Sequence, residues 1–491
     1  MKYVLGIDFG GGASKATLLS EKGEIAAVST VEYPTLYPQS GWTEQDPADW
    51  YEATRKNISN LLTQSGVDAH EIVAVCPDAA THTAVLLDEK DEVVCPSIYW
   101  TDIRSQQEVA YLREHYGDLI RREVLHSPDT IWTLPQLMWI KSNRPDQWSR
   151  VHKILFAKDY VRQRLTGDFV TDNIEAEGSM LFDYNRQCWS ETLCGLLELT
   201  PEMLPGIVRP SDIVGGVTKE AALETGLVEG TPVLCGSTDT VMEVFAAGGV
   251  GEGDMTLKLA TAGRICVVTD KAYPDRDLIN YSHLIDGLWY PGTATKSCAA
   301  SYRWYRDTFG GGYGELDAGA EAIAPGADGL IFSPYLNGEL TPYADPKLCA
   351  SFVGVRAGHT KAHFTRAVLE GVAMSMKDCL NALERIGIPR GERATVIGGG
   401  SKSPLWRQIT ADVLGLTLVE KQHSDSSLGS AMLAGIVSGF WKDHKTAAST
   451  CNRAVSVTEP NPETHARYEK VFRKYKKVHD ALAEVYHDET L

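Results

Sequence analysis

The stretch Tyr3-Val4-Leu5-Gly6-Ile7-Asp8-Phe9-Gly10-Gly11-Gly12-Ala13-Ser14-Lys15-Ala16-Thr17-Leu18-Leu19 decides how the chain is read. An apolar strand ends in an acid, three consecutive glycines follow, and a second apolar strand leaves from a lysine. A simple hairpin needs only a two-residue turn such as Asn-Gly. Three glycines let backbone N–H groups crowd around an anion, because no Cβ obstructs the approach. Asp8 at the strand end suits a Mg²⁺ ion held directly or through water. A glycine-rich hairpin with two solvated charges reads equally well from this segment alone. Neither common nucleotide fingerprint is present: no G-x-x-x-x-G-K-[ST] follows, and no G-x-G-x-x-G opens a helix. A Lys22-Gly23 turn leads instead to a third strand at 24–29, completing a β-meander.

Bulk composition narrows the class. At 491 residues the chain is too long for one core and implies at least two domains. With 43% apolar and 23% charged residues it can bury full cores and lacks the signature of disorder. A net charge of −18 argues against a nucleic-acid or anionic-membrane surface. The ten cysteines show no C-x-x-C pairs or metal-ligand spacing, and read as reduced core thiols of a cytoplasmic protein. No signal segment and no run of eighteen apolar residues is present, so no membrane partner is expected.

Further along, Asp46 caps a helix with Pro47 in its first turn and an inward stripe of Trp50, Thr54, Ile58 and Leu61. Strands are expected at 72–75, 84–88 and around 93–94, and helices at 134–141 and 157–165. The strand 232–234 runs into Gly236-Ser237-Thr238-Asp239. The broken pattern Ala247-Gly248-Gly249-Val250-Gly251 then marks a boundary between a first domain, residues 1–248, and a second, residues 249–491. The second opens on another hairpin, 256–260 and 265–269, with Thr261-Ala262-Gly263 as its turn. Two such hairpins, one at the head of each half, fit a duplicated architecture with a ligand cleft between the halves. The strand 395–397 ends in Gly398-Gly399-Gly400-Ser401-Lys402-Ser403, and a helix follows from Pro404. Glycine there admits a flat base, and the helix start favours an anion. A final amphipathic helix carries Tyr468, Val471, Phe472, Tyr475, Val478, Leu482 and Val485 on one face.

Taken together, these segments resemble the FGGY carbohydrate kinase family, and within it the xylulokinase branch. The resemblance covers nearly the whole chain. It rests on Gly6-Ile7-Asp8-x-Gly10 with Lys15, Gly41-Trp42-Thr43-Glu44-Gln45-Asp46-Pro47 with Trp50, and Trp100-Thr101-Asp102-Ile103-Arg104. It continues through Gly236-Ser237-Thr238-Asp239, Pro334-Tyr335-Leu336-Asn337-Gly338-Glu339-Leu340-Thr341-Pro342, Arg366 to Gly371, and Gly398 to Trp406. It implies a two-domain α/β, actin-like fold, shared with Hsp70 chaperones and related to ribonuclease H, with an interdomain catalytic cleft. It also implies ATP and Mg²⁺ as cofactors and a small sugar as substrate. The sequence leaves monomer and homodimer open.

The resemblance further implies the roles of individual residues. Asp239 is the base that takes the proton of the acceptor hydroxyl, where local sequence alone favours a helix N-cap. Asp8 and Asp239 serve the metal. Gly10, Gly11, Gly12 and Lys15 of the first hairpin, with Thr261 and Gly263 of the second, address phosphates, although Lys15 reads equally as a solvated strand-edge lysine. Gly398, Gly399, Gly400 and Ser403 address the nucleoside. Thr81, His82, Trp100, Asp102, Thr238 and Asp239 face the sugar, with Trp100 read as core when taken alone. The expected reaction phosphorylates the terminal hydroxyl of a pentulose, D-xylulose first, with ribulose, another ketose or a sugar acid as alternatives. A sugar- and nucleotide-binding homologue without transfer activity is the rival from another class.

Several positions depart from the family pattern. Gly11 stands where the family usually has Thr, removing a hydroxyl available to phosphate. Leu340 replaces an Arg, Ala260 a Gly, and Thr240 follows Asp239 in place of Asn or Ala. Thr81-His82 replaces Met-His, and the Arg-Glu of glycerol kinases is absent there, which argues against glycerol.

Overall fold

A computed structural model describes residues 1–488, and the chain forms two compact units. The first comprises Met1–Val250, Asn280–Trp289 and Asp425–Asn452; the second comprises Gly251–Ile279, Tyr290–Ser424 and Arg453–Leu491, described here to residue 488.

In the first unit β1 (Tyr3–Phe9), β2 (Ala13–Ser20) and β3 (Ile25–Glu32) form the antiparallel meander. Helix α1 (Pro47–Ser65) follows, with Asp46 accepting from the Ala48 N–H at 2.9 Å and Trp50, Thr54, Ile58 and Leu61 buried as the spacing predicts. Strand β4 (Ile72–Ala79) lies parallel to β1, pairing Asp8 with Asp78. Strands β5 (Ile213–Gly216), β6 (Pro232–Leu234) and β7 (Ser237–Thr238) complete a seven-stranded sheet of order β5-β6-β4-β1-β2-β3, with β7 also on β4. Helix α2 (Asp239–Ala246) starts directly after β7. Strand β1 is buried along most of its length among Leu18, Trp50, Ile58, Val75 and Val233, as a central strand covered on both faces must be.

The second unit repeats the scheme. Strands β8 (Met255–Leu259), β9 (Gly263–Val267) and β10 (Gly292–Thr295) form an antiparallel meander. After helix α3 (Lys361–Ile386), strand β11 (Arg393–Ile397) lies parallel to β8. Helix α4 (Pro404–Leu414), strand β12 (Thr417–Lys421) and, later, β13 (Ala454–Thr458) give the order β10-β9-β8-β11-β12-β13. Each unit thus places a meander beside a parallel crossover, with the parallel strand ends at the order reversal, where open α/β sheets bind ligands. The terminal helix Pro462–His487 buries Tyr468, Phe472 and Tyr475, whereas Val485, which the sequence placed on the same stripe, is exposed.

The second hairpin is shorter at its end than the spacing suggests: Gly263 begins β9, and the turn is Ala260-Thr261-Ala262. The linear division of the chain at 248/249 also needs correction. Residues 280–289 belong to the first unit through Ser282, whose N–H and hydroxyl donate to Glu177, and through His283, whose ring meets the Gly249 carbonyl at 2.9 Å. Residues 425–452 belong there because the apolar helix Ser426–Val437 packs directly on β1. That packing depends on Gly6, since a Cβ there would lie 2.0 Å from the Ser427 carbonyl oxygen and 2.5 Å from the Ala431 nitrogen. Gly6→Ala is expected to destabilise the protein by about 3 kcal/mol through overpacking, whereas Gly12→Ala should leave the denaturation midpoint unchanged. Equal urea midpoints for the two variants would contradict this packing.

Candidate active site

In the first unit the carboxyl ends of three neighbouring strands each deliver an acid. Asp8 closes β1, Asp78 lies opposite it on β4, and β7 hands the chain to Asp239 beside them. Gly236 makes that hand-over possible: its φ is +74°, and a Cβ would fall 1.8 Å from the Pro77 carbonyl oxygen. No side chain could stand there. Asp239 is the first residue of α2, and Thr238 occupies the N-cap without a side-chain capping bond. The carboxylate of Asp239 is therefore not spent on capping, and its Oδ1 receives the Thr240 hydroxyl at 3.1 Å and the Thr81 hydroxyl at 3.5 Å.

These acids strain one another. Burial, then the Asp239 charge, push Asp8 up to about 7, with Glu243 and Asp425 adding and a hydrogen bond with Asp78 opposing. Asp78 rises well above the usual carboxylate range, first by burial and then by the Asp8 charge, while the Ser430 hydroxyl donates to its Oδ2. Beyond the bond between the two carboxyls, the buried Oδ1 of Asp8 receives no hydrogen-bond donor among the described residues. Among these residues no three His, Cys, Asp or Glu side chains form a ready-made metal cage. An orphaned carboxylate oxygen amid excess negative charge nevertheless fits a Mg²⁺ that takes one or two protein ligands and completes its shell with phosphate and water.

The glycine turn sits beside these acids. Its carbonyls are pinned from one side: Gly10 O receives the Tyr33 hydroxyl at 2.6 Å, Gly11 O the Thr35 hydroxyl, and Gly12 O the Tyr33 N–H at 3.0 Å. The Gly11 and Gly12 N–H groups have no protein acceptor among the described residues, and both residues are exposed. Such outward N–H groups are what an anion needs. Lys15 instead reaches Asp425 at 2.9 Å, the N-cap of the helix Ser426–Val437. Its charge is thus partly committed within the protein.

The sugar candidates divide. Thr81 touches Asp239, and Thr238 is buried with its hydroxyl unpartnered. His82 is buried with a left-handed φ of 55°, its N–H donating to Glu175 and its carbonyl accepting from Thr133. Burial, then His126, push the His82 imidazole down to about 3, so it is a neutral ring. Trp100 is 39% exposed and so is not core, which leaves its face available for stacking. Asp102, by contrast, is fully occupied: it accepts from the Thr43 N–H at 2.6 Å and from the Arg104 N–H and guanidinium at 2.7 to 2.9 Å. Arg104 also pairs with Glu44 and lies 3.8 Å from the Trp42 ring centroid. This buried network corrects the sequence reading of Asp102 as a sugar ligand, since no lone pair is left over for a hydroxyl.

In the second unit the turn Ala260-Thr261-Ala262 repeats the logic of the first. Ala260 O and Thr261 O are held by N–H groups of Ala299, Cys298 and Ala300. The Thr261 side chain is exposed, and the N–H groups of Thr261 and Ala262 have no acceptor among the described residues. Gly263 plays another part than expected: its N–H donates to the Thr295 hydroxyl at 3.1 Å, and a Cβ would strike Met376 Sδ at 2.5 Å. Its role is packing. Gly398, with φ +88° and a Cβ position 2.7 Å from the Leu259 carbonyl oxygen, turns the chain off β11. Gly400 packs against Trp406, whereas Gly399 is exposed with nothing within 4 Å of its Cβ position. Ser403 caps α4 and donates to Asp317 at 2.7 Å, which commits its hydroxyl to the fold. Glu339 needs no arginine at 340, because two backbone N–H groups and Ser375 satisfy its buried carboxyl.

Sequence reading missed Asp78, Glu243 and Asp425. Glu243 follows Asp239 by four residues and shares its helix face, a spacing visible in the sequence. Asp78 is recognisable only once β4 is laid beside β1.

Similarity to known proteins extends over nearly the whole chain. The N-terminal domain of the FGGY family of carbohydrate kinases matches residues 3–246, and its C-terminal domain matches residues 275–438. A xylulose kinase from Bacillus subtilis is 30% identical over 490 residues, covering 98% of this chain and 97% of that protein. Among solved structures, the xylulose kinase from Rhodospirillum rubrum shares 28% identity at a TM-score of 0.91, over 99% of this chain and 100% of that one. The gluconate kinase from Lactobacillus acidophilus shares 26% at 0.92, over 99% of both chains.

The Asp102 network gives a test of its own. Asp102→Ala leaves the buried Arg104 with Glu44 alone and the Thr43 N–H without its acceptor, and should cost about 3 kcal/mol of stability, read as a lowered melting temperature. A variant that melts with the wild type and only binds sugar more weakly would restore the ligand reading.

Proposed function

The chain belongs to the FGGY family of carbohydrate kinases and is an ATP-dependent sugar kinase; we propose that its acceptor is an open-chain pentulose, D-xylulose before others. The observation that carries the reading is Asp239: a carboxylate at a helix start, excused from capping, beside two strand-end acids and a turn of outward N–H groups. Phosphoryl transfer asks little covalent chemistry of a protein, only positioning, charge neutralisation and a proton acceptor. Asp239 takes the proton of the terminal hydroxyl as that oxygen bonds the γ-phosphorus. The bond from phosphorus to the β–γ bridging oxygen breaks, and its electron pair leaves with ADP.

Asp8 and Asp239 would hold Mg²⁺, whose charge offsets that of the triphosphate. The turns at Gly10–Gly12 and Ala260–Ala262 offer N–H groups to phosphate oxygens, and Gly399 offers an open surface to the nucleoside. Thr81, Thr238 and the neutral His82 provide fixed polar groups near Asp239, and Trp100 a stacking face. A fixed set of this kind discriminates by leaving a group unpaired when a hydroxyl is missing or misplaced. All ten cysteines are free thiols and no helix of the described residues is long and apolar enough to cross a membrane, both compatible with work in the cytoplasm.

A coupled ADP-release assay over D-xylulose, D-ribulose, L-ribulose, glycerol and gluconate tests the acceptor. The highest kcat/KM is expected for D-xylulose; a higher value for gluconate would move the assignment to a sugar acid. Asp239→Asn should lower kcat by roughly 10²–10⁴-fold while ATP still binds. Turnover near wild type would remove the proton-acceptor role.

A further inference from the structure

Position 11 carries glycine where the family usually has threonine, yet the space a side chain would take there is not empty. A Cβ on Gly11 would lie 3.1 Å from the Tyr99 phenolic oxygen and 3.6 Å from Cε1 and Cζ of the same ring. We propose that the Tyr99 hydroxyl is the hydrogen-bond donor of the phosphoryl site, standing in for the hydroxyl that Gly11 lacks. The proposal rests on the kinase reading and adds a residue that the sequence did not single out.

Three observations support it. First, Tyr99 is held in place: it is buried, and its N–H donates to the Thr43 carbonyl at 2.9 Å. Gly11 in turn is held through its carbonyl by Thr35, so the hydroxyl and the glycine turn meet in a fixed relation. Second, the Trp100 ring lies beside the Tyr99 ring, centroids 6.0 Å apart, and no described residue accepts the Tyr99 hydroxyl proton. The phenol therefore keeps its own proton for another partner. Third, burial and then the charges of Asp239 and Asp8 raise the phenol above its ordinary range, so it remains a protonated donor at neutral pH. The same two acids flank the place where phosphate is expected, and the Gly11 and Gly12 N–H groups open beside it. A phenol O–H converging with two backbone N–H groups makes a three-donor cradle for a phosphoryl oxygen.

The competing view is that the Tyr99 ring only fills space behind the turn. Tyr99→Phe separates the two, because it keeps the ring and removes the donor. Loss of one preorganised donor should lower kcat roughly tenfold to a hundredfold, with the melting temperature and the sugar KM close to wild type. The Gly11→Ser variant supplies a second arm. In the wild-type background its side chain crowds the phenol and should lower activity. In the Tyr99→Phe background the crowding oxygen is gone and a hydroxyl returns, so the double variant should exceed Tyr99→Phe in kcat. A Tyr99→Phe variant with wild-type kcat, or a double variant no better than Tyr99→Phe, would overturn the proposal.

Calorimetry keeps this test independent of the acceptor. Tyr99→Phe should weaken ATP binding several-fold relative to ADP, because the hydroxyl addresses the γ-phosphoryl group. An unchanged ATP-to-ADP affinity ratio would refute the Tyr99 assignment. Failure of the wild type to phosphorylate any sugar of the panel would refute the acceptor reading alone.

Discussion

Two carboxyls, a buried Asp78 and a half-buried Asp8, are paired across adjacent parallel strands, and the rest of the first unit is arranged around that pairing. Burying like charges together is unfavourable unless protons, donors or a cation intervene. Ser430 supplies a donor from the helix Ser426–Val437, which in turn reaches β1 only because Gly6 has no side chain. Gly236, with the Pro77 carbonyl where its Cβ would be, then brings Asp239 to the same strand ends. The buried Oδ1 of Asp8 is left without a further protein donor at these strand ends.

The two units build the turn between their first two strands with one device. In each, a three-residue turn between the first two strands has its carbonyls bound from behind, leaving N–H groups on the other side. The donors differ: Tyr33 and Thr35 from the chain after β3 in the first unit, the N–H groups of Cys298, Ala299 and Ala300 in the second. What repeats is the strand order and the polarity of the turn, not its residues. This explains how Ala260 can replace a family glycine without loss of the arrangement.

The family departures find physical answers within each unit. Glu339 is satisfied by backbone N–H groups and Ser375, so Leu340 leaves no charge unpaired. Gly11 faces a phenol that would crowd any side chain placed there. Asp102 and Arg104 show the reverse lesson: a motif that resembles a ligand set is a buried ion pair that fixes Thr43, Glu44 and Trp42. Much of the polar machinery in this protein therefore holds other residues in place and does not itself face a ligand.

The sequence by itself determined the features that depend on near neighbours. The meander at residues 3–32, the capped helix from Pro47, the turn after β8 and the glycine-led strand end before Pro404 follow from periodicity, caps and glycine clusters a few residues apart. The positions of Asp8 and Asp239 were legible for the same reason, each lying at the end of a readable strand. Only the tertiary structure decided that Asp78 stands beside Asp8, that residues 425–452 complete the first unit, and that Lys15, Asp102, Gly263 and Ser403 are occupied within the fold. Those outcomes turn on strand register and on contacts between residues far apart in the chain. Local pattern carries no record of them, because hydrogen bonds and buried charges are settled by whatever the folded backbone brings within 3 Å or so.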